Sequence, residues 1–164
     1  MKKILLFLLF IPFITFSQVD TITTTGNTFS PNTITINIGE SVYFQLGSMH
    51  NAVEVDSNTW IANGTTTNAG FTFGNGGSGV FTPNSVQTYY YVCQNHVGTD
   101  SMKGVIIVNL PGCTNITACN YNPLATIDDG SCQLPDGCTD TLACNYDSLA
   151  LCNDGSCNFL FGCT

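Results

Sequence analysis

Eight of the nine cysteines lie after residue 112, and the ninth, Cys93, stands alone in the chain before them. That partition requires two different ways of folding. The cysteine-rich stretch is a repeat. Gly112-Cys-Thr-Asn-Ile-Thr-Ala-Cys-Asn-Tyr-Asn-Pro-Leu-Ala-Thr-Ile-Asp-Asp-Gly-Ser-Cys132 returns 25 residues later as Gly137-Cys-Thr-Asp-Thr-Leu-Ala-Cys-Asn-Tyr-Asp-Ser-Leu-Ala-Leu-Cys-Asn-Asp-Gly-Ser-Cys157. Gly162-Cys-Thr164 begins a third copy and stops at once, which suggests a truncated reading frame or an excised fragment. Repeats of this length stack as small units. Each copy has too few apolar side chains to fold by burial, so disulfides must supply much of its stability, about 2–4 kcal/mol per bond. An even set can pair completely, which leaves Cys93 as the odd thiol.

The pairing inside the tail stays open. Cys113–Cys132 and Cys138–Cys157 would close each repeat on itself. Cys152 stands where the first copy has Ile127, and Cys144 is its natural partner, leaving Cys119 and Cys163. Cys119–Cys132 with Cys144–Cys157 is the rival scheme. Asp128-Asp129-Gly130 and Asn153-Asp154-Gly155 could offer oxygens to Ca²⁺. They read better as turns, because Asp-Gly is a common turn dipeptide.

Residues 18–110 have another texture. Short runs rich in Thr, Ile, Val, Phe and Tyr are separated by Gly, Asn, Ser and Pro. Thr33-Ile-Thr-Ile-Asn-Ile alternates polar and apolar side chains, the period of a strand with one buried face. The stretches 41–46, 51–55, 85–92 and 103–110 also read as strands, with less regular alternation. Gly39-Glu40 marks a turn between the first two. Residues 59–80 read as loop-like, with Phe71 and Phe73 offering a few buried contacts. No helical period of useful length is present. Strands at this spacing predict an all-β fold, a Greek-key β-sandwich, carrying a small disulfide-rich repeat tail.

The chemistry concentrates in Tyr91-Val-Cys93-Gln-Asn-His96-Val-Gly-Thr-Asp-Ser-Met102-Lys-Gly104 and in Met49-His50-Asn51 upstream. Both histidines of the chain lie in these two segments, as does its lone cysteine outside the tail. His50, Cys93, His96 and Met102 offer two imidazoles, a thiolate and a thioether. That set suits a single type 1 copper, with three strong ligands and a weak axial sulfur, and lets the metal pass one electron with little rearrangement. Zinc can also take two imidazoles and a thiolate, but it requires neither the methionine nor a β-sandwich.

Residues 27–109 resemble the plastocyanin/azurin family, the cupredoxins. The resemblance is carried by Phe29-Ser-Pro31, Thr33-Ile-Thr-Ile-Asn-Ile-Gly39, His50-Asn51, Cys93-x-x-His96 and Met102-x-Gly104. It implies a blue copper site, with Asn51 joining the two ligand loops through hydrogen bonds. One departure is visible. Such loops usually place four residues between the second histidine and the methionine, and this chain has five, Val97 to Ser101. Gly98 is the expected place for the extra residue. The family's fold also serves multicopper oxidases and nitrite reductases. Those need further histidine-rich sites, so the expectation here is an electron carrier rather than an enzyme, with an unidentified redox partner protein. The rival reading is a secreted copper-binding or adhesion module without a redox role. The tail resembles Cys- and Asp-rich repeats at the ends of some bacterial cell-surface proteins.

Residues 1–17 read as a signal peptide. Lys2-Lys3 precede an apolar run of thirteen residues, 4–16, too short for a membrane span, which needs about 20. The expected location is therefore periplasmic or extracellular, with no membrane insertion after cleavage. Many cysteines behind a signal fit an oxidising compartment. Cleavage before Gln18 would leave Lys103 as the single basic side chain against eleven acidic ones. That balance excludes nucleic acid held by phosphate neutralisation. The expected organisation is the signal at 1–17, a copper domain at 18–110, and repeats at 111–164 (112–136, 137–161 and the start of a third at 162).

Overall fold

The computed structural model describes residues 19–159; the signal peptide expected at 1–17, Cys163 and the start of the third repeat lie outside them. Nine strands build the sandwich: β1 (Asp20–Thr25), β2 (Thr28–Ser30), β3 (Thr33–Asn37), β4 (Val42–Gln45), β5 (Ala52–Val55), β6 (Thr67–Phe73), β7 (Ser78–Phe81), β8 (Thr88–Val92) and β9 (Lys103–Asn109). One sheet has the order β2-β1-β4-β7 and the other β3-β9-β8-β5-β6. β1 runs parallel to β4 and β3 parallel to β9, and the remaining pairs are antiparallel. Each sheet also joins strands that are far apart in sequence, such as β1–β4 and β3–β9, as a Greek-key sandwich requires.

The alternation of β3 places Ile34 and Ile36 inward, and β9 does the same with Ile106 and Val108. They meet Ile22, Phe29, Val42 and Phe44 from the facing sheet, with Tyr89 and Tyr91 of β8 between. Tyr91 packs edge-on against Phe29 at 4.8 Å and Phe44 at 5.3 Å between ring centroids. Gly104 is required by this packing, because a side chain there would collide with the Tyr91 phenol and the Asn32 carbonyl. Gly39 has φ +92° in the expected turn, where Glu40 accepts the Asn37 amide.

The irregular alternation of β5 and β8 has a physical cause. Both strands are covered on two faces. Val53, Val55 and Val92 pack away from the main core against Val97, Trp60 and Tyr90. The covering elements are two short helices, α1 (Ser57–Ile61) and α2 (Val97–Asp100). The loop-like stretch 59–80 is corrected: it carries most of α1, all of β6 and the start of β7. Its Phe71 and Phe73 are only partly buried, and its glycines and asparagines conceal the strand period. β1 and β2, which are rich in threonine, also went unread.

Two-residue strands β10 (Pro111–Gly112) and β11 (Ile127–Asp128) pair in parallel at the start of the tail. Thr126 ties the tail to the end of β9, donating its amide to the Leu110 carbonyl at 2.9 Å and accepting the Leu110 amide at 2.9 Å. Cys113–Cys132 and Cys138–Cys157 close the repeats as expected. The remaining pairing is corrected. Cys119 bonds Cys152 across the two repeats, which excludes both Cys144–Cys152 and Cys119–Cys163, and Cys144 is disulfide-bonded elsewhere. The rival pairs Cys119–Cys132 and Cys144–Cys157 are excluded by the same bonds. The Asp-Gly segments are turns: Asp128 accepts the Gly130 amide at 2.7 Å and Asn153 the Gly155 amide at 2.9 Å. No helix among the described residues is long and apolar enough to cross a membrane.

Candidate metal centre

Two loops at one end of the sandwich carry the donors. His50 lies between β4 and β5, with its amide bonded to the Gly47 carbonyl at 2.9 Å. Cys93 directly follows β8, and its carbonyl accepts the His96 and Val97 amides at 3.1 and 2.8 Å, turning the chain into α2. Met102 directly precedes β9, and its carbonyl accepts the Cys93 amide at 2.9 Å. The strand ladder β8–β9 therefore fixes Cys93 beside Met102, and the ladder β5–β8 brings in His50.

The donor atoms converge. His50 Nδ1 and His96 Nδ1 are 3.2 Å apart, and Cys93 Sγ lies 3.4 Å from His96 Nδ1 and 3.9 Å from His50 Nδ1. All three lie within 4.8 Å of one another, a grouping able to hold a metal ion. Cys93 is fully buried, Met102 is 1% exposed and His50 8%, while His96 is half-exposed. Burial, then the neighbouring His96, lowers the His50 pKa below its usual value. The neutral ring is therefore favoured, and its nitrogen lone pair is the form a metal requires. Cys93 is the one free cysteine among the described residues.

The loops are stitched together by amides. Asn51 accepts the Gln94 backbone amide at 2.8 Å and donates to the Gln94 side chain at 3.0 Å, the part that the resemblance implied for it. Two further stitches were missed. Gln94 donates to the Thr65 carbonyl at 3.0 Å, and Asn95 to the Met49 carbonyl at 2.8 Å and the Asn75 side chain at 3.0 Å. Gln94 and Asn95 fill the gap between Cys93 and His96, which was the available signal. Gly98, the expected place for the extra residue, is not left-handed. It lies within α2, and Ser101 is the residue that turns left-handed, at φ 54° and ψ 39°. Helical bonding over 97–100 leaves the C-cap as the only place to reverse the backbone.

Two imidazoles, a thiol and a buried thioether form a soft, nitrogen-and-sulfur donor set that fits copper. Residues 18–109 match the copper binding proteins of the plastocyanin/azurin family. Among solved structures, amicyanin from Paracoccus versutus (Thiobacillus versutus) is similar at 22% identity over 56% of this chain and 82% of its own, with a TM-score of 0.42. Pseudoazurin from Hyphomicrobium denitrificans shares 20% identity over 56% of this chain and 75% of its own, with a TM-score of 0.44. The copper-containing nitrite reductase of Thermus scotoductus SA-01 shares 25% identity over 56% of this chain but only 22% of its own, with a TM-score of 0.41. No curated protein matches. Half the chain and more is covered by the family match, and its four soft donors are arranged as a type 1 copper site. The chain belongs to the plastocyanin/azurin family of copper binding proteins.

Proposed function

We propose that this protein is a single-electron carrier with one type 1 copper, working in the periplasm or outside the cell. His50, Cys93 and His96 would be the strong ligands and Met102 the weak axial donor. The carrying observation is the convergence of His50, Cys93 and His96 in one group. When bound there, copper supplies a one-electron couple whose two oxidation states tolerate the same ligands. The residues do the rest. Buried Cys93 and Met102 keep water from the sulfur side, and half-exposed His96 gives the site its edge toward a redox partner. The Asn51–Gln94 and Asn95–Met49 bonds hold the two loops at fixed separation, so little reorganisation accompanies a change of charge.

A carrier, rather than an enzyme, is favoured because both histidines are already committed to this group. The disulfides favour an oxidising compartment, as does the signal-like sequence at 1–17.

The test is the visible spectrum of the Cu(II)-loaded protein. Strong thiolate absorption is expected, and Cys93→Ser should abolish it while leaving the far-ultraviolet β signal intact. An equally coloured Cys93→Ser protein sinks the assignment. Reversible reduction and reoxidation separates a carrier from a copper-binding or adhesion module. Met102→Leu should raise the reduction potential, because Cu(II) loses a donor; an unchanged potential and spectrum would remove Met102 from the ligand set.

A further inference from the structure

The segment after α1 grips the methionine end of the ligand loop from outside. Lys103 Nζ donates to the Trp60 carbonyl at 2.8 Å and to Asn63 Oδ1 at 2.7 Å, and lies 4.1 Å from the Trp60 ring centroid. Asn63 Nδ2 donates to Ser101 Oγ at 3.1 Å, and Trp60 Nε1 to the Gly104 carbonyl at 3.1 Å. These four bonds reach residues 101, 103 and 104 on both sides of Met102. They all come from residues 60–63. Asn63 is itself left-handed, at φ 53°, in the turn that ends α1. Lys103 thus caps the C-terminal carbonyl of α1, where a cation is favoured.

We propose that Asn63 and Lys103 are positioning residues for Met102, and that their clamp is what lets a five-residue spacer place the axial donor. The extra residue leaves Ser101 exposed and left-handed at the helix end. A serine in that conformation has no intrinsic preference for it, unlike glycine or asparagine. Its hydroxyl is instead held by Asn63, and Asn63 is held by Lys103. Lys103 is also the only basic side chain outside residues 1–17, so no other cation in the described chain can replace it. Removing the clamp would loosen residues 101–104 around Met102 and let its side chain shift, while the Cys93–Met102 backbone bond keeps the strands together and His50 and His96 stay in place. The inference rests on the copper reading above.

The experiment compares Asn63→Ala and Lys103→Met with the wild-type protein, all loaded with Cu(II). Lys103→Met keeps the aliphatic stem against Trp60 and removes the donor. Both variants are expected to stay coloured, with an altered ratio of thiolate bands and a shifted reduction potential. A merely structural clamp would lower the melting temperature and leave both readouts alone, and that result overturns the proposal. If wild-type protein shows no thiolate absorption, the copper reading fails instead. The clamp is then judged on the metal-free protein by amide exchange over residues 101–104. Exchange should be about tenfold faster in the variants, the effect of losing one or two hydrogen bonds, and unchanged rates overturn the clamp.

Discussion

The sandwich and the tail are closed by different means. In the sandwich, fully buried Ile22, Val42, Phe44, Tyr91 and Ile106 form the core, and the only cysteine is a free thiol. In the tail, the buried apolar residues are Cys113, Ala118, Cys138, Ala143 and Cys152, while Leu124, Leu142, Leu149 and Leu151 stand 70–83% exposed. One region spends its apolar residues on burial, and the other leaves them in water and relies on covalent bonds. A chain can therefore keep an oxidation-sensitive thiol in one region and a dense set of disulfides in the next. The thiol is protected because its strand and loop bury it, and every described tail cysteine is already bonded.

Reduction should break this contrast most strongly. Loss of each bond costs about 2–5 kcal/mol, and the tail has no apolar core to replace it. Treatment with a thiol reductant is expected to unfold residues 112–159 and leave the β-sandwich signal unchanged. A sandwich that melts with the tail would show that the regions are one cooperative unit. The complementary cut, a chain ending at Leu110, should fold and bind copper, losing the Thr126 and Ile127 bonds to Asn109 and Leu110.

The next effect lies in the sandwich. Phe44→Ala removes a fully buried ring that packs on Phe71, Phe73 and Tyr91, and should cost about 3–5 kcal/mol. Calorimetry is expected to show the sandwich transition falling while the tail transition stays in place. Movement of both would dissolve the distinction.

Acid gives the smallest effect. Hydrogen bonds depress the carboxyl groups of Asp128, Asp129 and Asp154 in the tail and Asp56 in the sandwich below 3.8. A depressed carboxyl contributes stability that is present above its ordinary pKa and lost as the pH falls through the folded value. Stability should therefore hold down to about pH 4 and then decline, more steeply in the tail, which has three such groups to the sandwich's one. All four are exposed, so salt and solvent keep the effect small. Tail amide signals that fade less steeply than those of the sandwich as the pH falls would contradict this order.

The sequence made the site unusually legible and the sheets only partly so. His50, Cys93, His96 and Met102 carry chemistry in their side-chain types, which needs no folding to be read. β3 and β9 were visible because each buries one face, so Ile34, Ile36, Ile106 and Val108 keep a period of two. β6 was hidden because its side chains are mostly exposed, as in Thr67, Asn68 and Ala69. The cross-repeat bond was hidden for another reason. Spacing along a chain reports local closure, which predicted Cys113–Cys132, but says nothing about which repeat lies against which. Ser101 was unread because a left-handed serine depends on Asn63, 38 residues away, and no local pattern records that partner.

The bridge between the repeats has a mechanical consequence. Cut free of its bonds, the path from Cys113 to Cys157 would stretch to about 150 Å. With Cys113–Cys132 and Cys138–Cys157 in place, tension crosses each repeat through a bridge whose Cα atoms are 4.8 Å apart, and only the link from Cys132 to Cys138 can lengthen, to about 20 Å. Cys119–Cys152 adds a second covalent route beside the first. The tail is a strap of nearly fixed length. A load applied between β1 and Cys157 is therefore borne by covalent bonds in the tail and by hydrogen bonds and side-chain packing in the sandwich, so the sandwich, with its candidate metal centre, is where the molecule gives way.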